Sequence, residues 1–201
     1  IIQAHVLPRP WCAAGTRRTL LAFPRYVILL RDMRASLVSH YEKNHVREMT
    51  FAEYLRNDRI VGNRVRWDLW YRIRFLNAWC REIGRLPAAQ THVMRYEALQ
   101  ADPLGELERV WSFLELPLTD GLLFRAVERS TKDRMARKET TAQPGKVIRK
   151  SNRHPVEWFS EDDRAYFGAV CGAYLEDNFG YDYAQWDVLG PLAVTRRARV
   201  A

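Results

Sequence analysis

The sequence predicts an α/β fold in which a parallel sheet is flanked by helices, and three observations carry that reading. Arg25-Tyr26-Val27-Ile28-Leu29-Leu30, apolar from Tyr26 on, follows Pro24 without alternation, the pattern of a strand buried on both faces. His92-Val93-Met94-Arg95-Tyr96 reads as a second such strand. Stretches of helical spacing alternate with these strands along the chain, and alternation of that kind builds parallel sheets.

Each element has its own local justification. Ile1-Ile2-Gln3-Ala4-His5-Val6 reads as a strand already under way, without a charged leader, so the sequence is expected to begin inside a domain. After the Arg25 strand, Ala35, Leu37, Val38 and Tyr41 take helical spacing, which predicts a helix from Met33 to Asn44. Strand, short turn and helix open a βαβ unit. Thr50, with Glu53 three residues on, signals a capped short helix to Asn57. Val65 to Gly84 reads as a long amphipathic helix. Trp67, Trp70, Tyr71, Phe75, Ala78 and Trp79 form its apolar stripe, and Arg66, Arg72, Arg74 and Arg81 fill much of the rest. Asp102-Pro103 starts another helix, Asp as cap and Pro at its first position; Pro117 is expected to end it. Leu122 to Arg129 is a further helix, and Ser160-Glu161-Asp162-Asp163 opens the last one. Between them, Ser130 to Pro155 is a long basic loop without apolar periodicity, and loops of such length usually serve function or are disordered. Residues 1–186 read as one domain and 187–201 as a frayed basic tail.

Composition narrows the function classes. The 201 residues are 47% hydrophobic and 28% charged, enough for a sizeable core and unlike a disordered, collagen-like, coiled-coil or disulfide-built chain. No apolar run approaches the ~18 residues of a membrane span. Three scattered cysteines, Cys12, Cys80 and Cys171, form no disulfide framework or zinc pattern. The five histidines show no ligand spacing. No metal is expected, and the sparse thiols fit a reducing cytoplasm. A net charge of +8 favours an anionic partner: nucleic acid, a membrane surface or a phosphorylated small molecule.

In parallel sheets ligands bind beyond the carboxyl ends of the strands, which singles out Arg31-Asp32 and Tyr96-Glu97. Ser39 lies eight residues after Arg31, two turns into the following helix. An arginine fork and a hydroxyl converging there would clamp a phosphate. By spacing alone, an arginine in a salt bridge and a serine on a helix face account for the same pair.

The surrounding string, Arg31-Asp32-Met33-Arg34-Ala35-Ser36-Leu37-Val38-Ser39-His40-Tyr41, resembles the strand–helix motif of the sulfotransferase family, with Met33 where the family usually has Pro. The resemblance implies a P-loop NTPase-like fold and, as co-substrate, 3′-phosphoadenosine 5′-phosphosulfate. It also implies that Arg31 and Ser39 bind the 3′-phosphate. Tyr96-Glu97-Ala98-Leu99, followed by Pro103, is similar to a second family signature, whose tyrosine lies near the adenine; Tyr96 inherits that role. Ser130-Thr131-Lys132-Asp133-Arg134-Met135 resembles the segment that lines the adenine, which gives Ser130 and Thr131 the hydroxyl positions and puts Lys132 where a Phe is usual. Arg149-Lys150-Ser151 resembles the family's Arg-Lys-Gly, which closes over the 3′-phosphate, with Ser151 replacing the glycine. Ile2-Gln3-Ala4-His5-Val6-Leu7-Pro8 resembles the strand end that carries the family's general base, so His5 inherits the task of deprotonating the acceptor; an imidazole suits it because its pKa lies near neutrality. Gln3 stands where the family has a lysine.

The family's phosphosulfate-binding loop, of the form Pro-Lys-x-Gly-Thr/Ser-Thr/Ser, has no counterpart here. Gly15-Thr16-Arg17-Arg18-Thr19 is the nearest string and follows the histidine strand. The expectation is therefore a fold lacking the N-terminal P-loop strand and helix, and inactive by itself. The implied reaction is sulfonate transfer to a hydroxyl or amine acceptor, a small molecule or a glycan. The competing class is a catalytically inactive nucleotide-binding protein. Nucleic-acid binding ranks last, because no nucleic-acid motif accompanies the charge. Oligomeric state has no signature in the sequence.

Overall fold

The computed structural model describes residues 25–57, 68–117, 119, 121–131, 134, 151, 153–187 and 189–190. Among them, strand β1 (Tyr26–Leu30) runs parallel to β2 (Thr91–Arg95) in a two-stranded sheet. Helices α1 (Met33–Asn44), α2 (Phe51–Leu55) and α3 (Leu69–Arg85) lie between the strands in sequence. Helices α4 (Tyr96–Ala101), α5 (Pro103–Leu114), α6 (Leu122–Arg129) and α7 (Glu161–Tyr174) follow β2, with short 3-10 turns at Ala88–Gln90 and Pro155–Trp158. The α/β class expected from sequence is the class found.

The caps act as the sequence indicates. Thr50 and Glu53 form a reciprocal capping box at α2, and Ser160 and Asp163 form another at α7. Asp102 accepts from the Gly105 N–H, with Pro103 at the first position of α5. Four boundaries differ from expectation, the first being α2, which ends at Leu55 instead of Asn57. The long helix starts at Leu69 instead of Val65, because the Asp68 carboxylate accepts from the Tyr71 N–H at 2.7 Å and caps it there. The second strand is Thr91–Arg95, so Tyr96 opens α4 instead of closing the strand. Helix α5 stops at Leu114, three residues before Pro117, where Glu115 turns left-handed at φ 55°. The expected N-terminal strand, most of the basic loop and residues 191–201 of the tail lie outside the described residues.

Packing joins the elements into one core. Leu37, Val38, Tyr54, Leu55, Leu69 and Phe167 are wholly buried, and Ile28 and Leu30 of β1 lie among them. The turn at Pro155–Trp158 packs on α1, where the rings of Trp158 and Tyr41 meet edge to face with their centres 5.3 Å apart. Trp186 packs on Phe159 and Phe167. A buried ion pair stands at the head of α1. The Asp32 carboxylate accepts from the Arg34 backbone N–H, from Nε at 3.1 Å and from Nη2 at 2.7 Å, with both side chains sealed from solvent. The Arg34 guanidinium also donates to the Gln185 carbonyl and lies over the rings of Tyr183 and Trp186.

Removing one partner of a buried pair strands the other charge in the interior. Arg34→Met is expected to lower stability by about 3–5 kcal/mol, read as a shift of the urea midpoint. Arg81→Met, which breaks the exposed Arg81–Glu176 pair, is expected to leave that midpoint nearly in place.

Candidate functional site

The parallel register builds the site. Leu30 pairs with Arg95 at the last rung, so the next residues, Arg31 and Tyr96, leave the sheet side by side at its carboxyl end. The Arg31 guanidinium lies over the Tyr96 ring, 4.5 Å from its centre. One residue further on, the Asp32 N–H donates to Glu97 Oε1 at 3.0 Å, and Glu97 Oε2 accepts from the Tyr181 hydroxyl at 2.7 Å. Burial and that carboxylate together raise the Tyr181 phenol well above its ordinary value. The Tyr181 strap is itself pinned: Arg95 donates twice to the Phe179 carbonyl, and Gly180 takes φ 83° with any Cβ placed 2.7 Å from Arg95 Nη2. Only glycine fits that turn.

The other residues singled out from sequence fall into four groups. Ser39 lies on the half-buried face of α1, one turn beyond Ser36. Ser130 and Thr131 stand exposed just past α6. Ser151 is half-buried and accepts from the Arg153 N–H at 3.1 Å, which ties it to its own turn. His5, Arg149 and Lys150 lie outside the described residues. The structure thus brings Arg31 and Tyr96 into contact and sets Ser39 on the helix that follows Arg31. Ser130 and Thr131 come at the far end of a different helix.

Sequence reasoning missed a polar cluster next to Arg31. Arg72 of α3 donates to Ser36 Oγ at 2.5 Å and to the Ser36 carbonyl at 3.2 Å, and it bonds the Tyr54 hydroxyl. Tyr54 in turn meets His40 Nδ1 at 3.0 Å. The signal was available: Leu69, Arg72, Ile73 and Leu76 share one face of α3, and the other three are buried. An arginine in that row must turn inward. Burial lowers its guanidinium and the nearby Arg31 charge adds to the effect, while Tyr54 and Asp68 oppose it. Burial, followed by the charges of Arg72, His45 and Lys43, lowers the His40 imidazole to about 4. Burial pushes the Tyr54 phenol up to about 12. At neutral pH His40 is uncharged, and the phenol is protonated. The Nε–H groups of Arg31 and Arg72 are both shielded from solvent and meet no acceptor among the described residues.

The arrangement is a cationic ledge at the carboxyl end of two parallel strands, suited to an anion with an aromatic group beside it. The family model of the sulfotransferase domain matches residues 17–157. A crystal structure of mouse sulfotransferase SULT7A1 complexed with PAP is similar in fold, with a TM-score of 0.59 and 14% sequence identity. The match covers 78% of this chain and 59% of that one, so this chain spans less than two thirds of its length. No curated protein matches by sequence.

The His40 environment has a pH signature. Between about 6.5 and about 4 the unfolded chain takes up a proton at this imidazole that the folded chain refuses. Stability contributed by the neutral ring is therefore whole above that window and falls as pH drops through it. His40→Asn is expected to flatten this part of the stability–pH curve, measured by urea denaturation at half-unit pH steps.

Proposed function

Because the chain belongs to the sulfotransferase family, we propose that it transfers a sulfonate group from 3′-phosphoadenosine 5′-phosphosulfate to a hydroxyl or amine acceptor, a small molecule or a glycan. The observation that carries this reading is the stacking of Arg31 on Tyr96 at the carboxyl end of the β1–β2 pair. An arginine fork beside an aromatic ring suits a phosphate next to an adenine, and the mouse sulfotransferase of similar fold is in complex with PAP.

In this reading Arg31 and Ser39 hold the 3′-phosphate, and Tyr96 borders the adenine together with Ser130 and Thr131. Arg149, Lys150 and Ser151 close over the phosphate from the basic loop. The anchoring of Trp158 against Tyr41 supports that closure, because it returns the end of the loop to the helix that carries Ser39. The acceptor oxygen attacks sulfur in line as His5 takes its proton. The sulfur–oxygen bond to the adenosine bisphosphate breaks, and the charge gathering on the departing oxygen needs fixed cations. Residues 1–186 form the catalytic unit and 187–201 a tail. No helix among the described residues is long and apolar enough to cross a membrane. Cys80 and Cys171 are free, and burial raises the Cys171 thiol to about 12. Inert thiols of this kind accord with a cytoplasmic setting.

The reading is tested by calorimetric titration of the chain with adenosine 3′,5′-bisphosphate and with adenosine 5′-phosphate. At least a tenfold preference for the bisphosphate is expected, about 1.4 kcal/mol; equal affinities would overturn the assignment. Arg31→Ala is expected to weaken the bisphosphate about 10- to 100-fold, through loss of a charge-assisted fork, and to leave the monophosphate little changed.

A further inference from the structure

Ser36 and Ser39 stand three residues apart on one half-buried face of α1, with Ser36 nearer the strand end that carries Arg31. Whatever binds between Arg31 and Ser39 therefore passes Ser36. Arg72 is fastened at that point, its Nη groups donating to the Ser36 side chain and carbonyl. We propose that Arg72 is a second arginine of the 3′-phosphate subsite, presenting to the ligand the Nε–H that no described protein group accepts. The proposal rests on the functional reading above and extends it by one residue.

Two features favour a ligand role over a plain tether between α3 and α1. The shielded Nε–H groups of both Arg31 and Arg72 lack acceptors among the described residues, and a shielded donor without an acceptor is rare in a finished interior. Moreover, the two cations lie within electrostatic reach of each other, and among the described residues neither forms a salt bridge with a carboxylate. Asp68, the acid that acts on Arg72, is committed to the Tyr71 N–H and to Asn57 Nδ2. A dianionic phosphate between the guanidinium groups would accept from both and cancel their repulsion.

The test titrates the full chain and its Arg72→Gln variant with adenosine 3′-phosphate and with adenosine 5′-phosphate. The variant is expected to lose about tenfold in affinity for the 3′-phosphate and to keep its affinity for the 5′-phosphate. Equal losses on both nucleotides, a loss on the 5′-phosphate alone, or no loss overturns the proposal. A wild-type chain that shows no preference for 3′-phosphorylated nucleotides overturns the functional reading and this one with it. A wild-type preference that survives undiminished in Arg72→Gln overturns only this one. Should Arg72→Gln fail to fold, the wild-type arginine Nε–H resonances decide, assigned with the charge-keeping Arg72→Lys variant. Movement of both the Arg31 and Arg72 signals on adding adenosine 3′-phosphate supports the proposal, and movement of Arg31 alone overturns it.

Discussion

Asp32 is the residue on which the rest of this structure hangs. It follows the strand-end arginine directly and meets three separate parts of the chain. Its carboxylate caps α1 and neutralises Arg34 in a site sealed from solvent. Its backbone N–H reaches Glu97, which holds Tyr181. Arg34 extends the same network to Gln185, Tyr183 and Trp186. An ion pair in the interior is tolerated only when its remaining donors and acceptors are also satisfied. That requirement fixes the start of α1, the start of α4 and the path of the C-terminal segment against one another. Arg31 and Tyr96 inherit their positions from this knot without belonging to it.

The division of labour between neighbouring arginines follows from what each one faces. Arg34 points into the core and finds a carboxylate, a carbonyl and two rings. Arg31, three residues earlier, points past the sheet end and, among the described residues, meets an aromatic face. Arg72 approaches from another helix and finds two hydroxyls and a carbonyl, none of them charged. A guanidinium matched to a carboxylate is structural, whereas guanidinium groups bordered by neutral acceptors leave a positive field in place. The +8 of the whole chain thus has a local expression near the strand ends.

Much of this was legible in the sequence because the signals were short-range. The run from Tyr26 to Leu30, the Thr50–Glu53 box, the helix start at Ser160 and the Asp102-Pro103 start all depend on a few adjacent residues, and each element forms in place, although the strand expected to be buried on both faces leaves Val27 and Leu29 exposed. Boundaries failed where a cap competed with an apolar pattern: Asp68 caps α3 although Trp67 before it belongs to the stripe read from sequence, and Glu115 ends α5 before the proline. The contact of Arg31 with Tyr96 was legible only as two strand ends, because the register that joins them is a long-range property. Arg72 was passed over because the stripe was drawn through its aromatic neighbours. Glu97 was quoted within a motif, yet its clamp on Asp32 and Tyr181 depends on residues 65 and 84 positions away.

The stacking of Arg31 on Tyr96 has a consequence for the entropy of the arginine side chain. An arginine side chain free in solvent samples many rotamers, and freezing one on binding costs up to about 2 kcal/mol of conformational entropy. Here the ring already confines the guanidinium to one plane 4.5 Å away, so much of that ordering is complete before any ligand arrives. Pre-ordered donors improve affinity by removing a cost instead of adding a contact. The aromatic ring thus orders the charge: it holds the fork open.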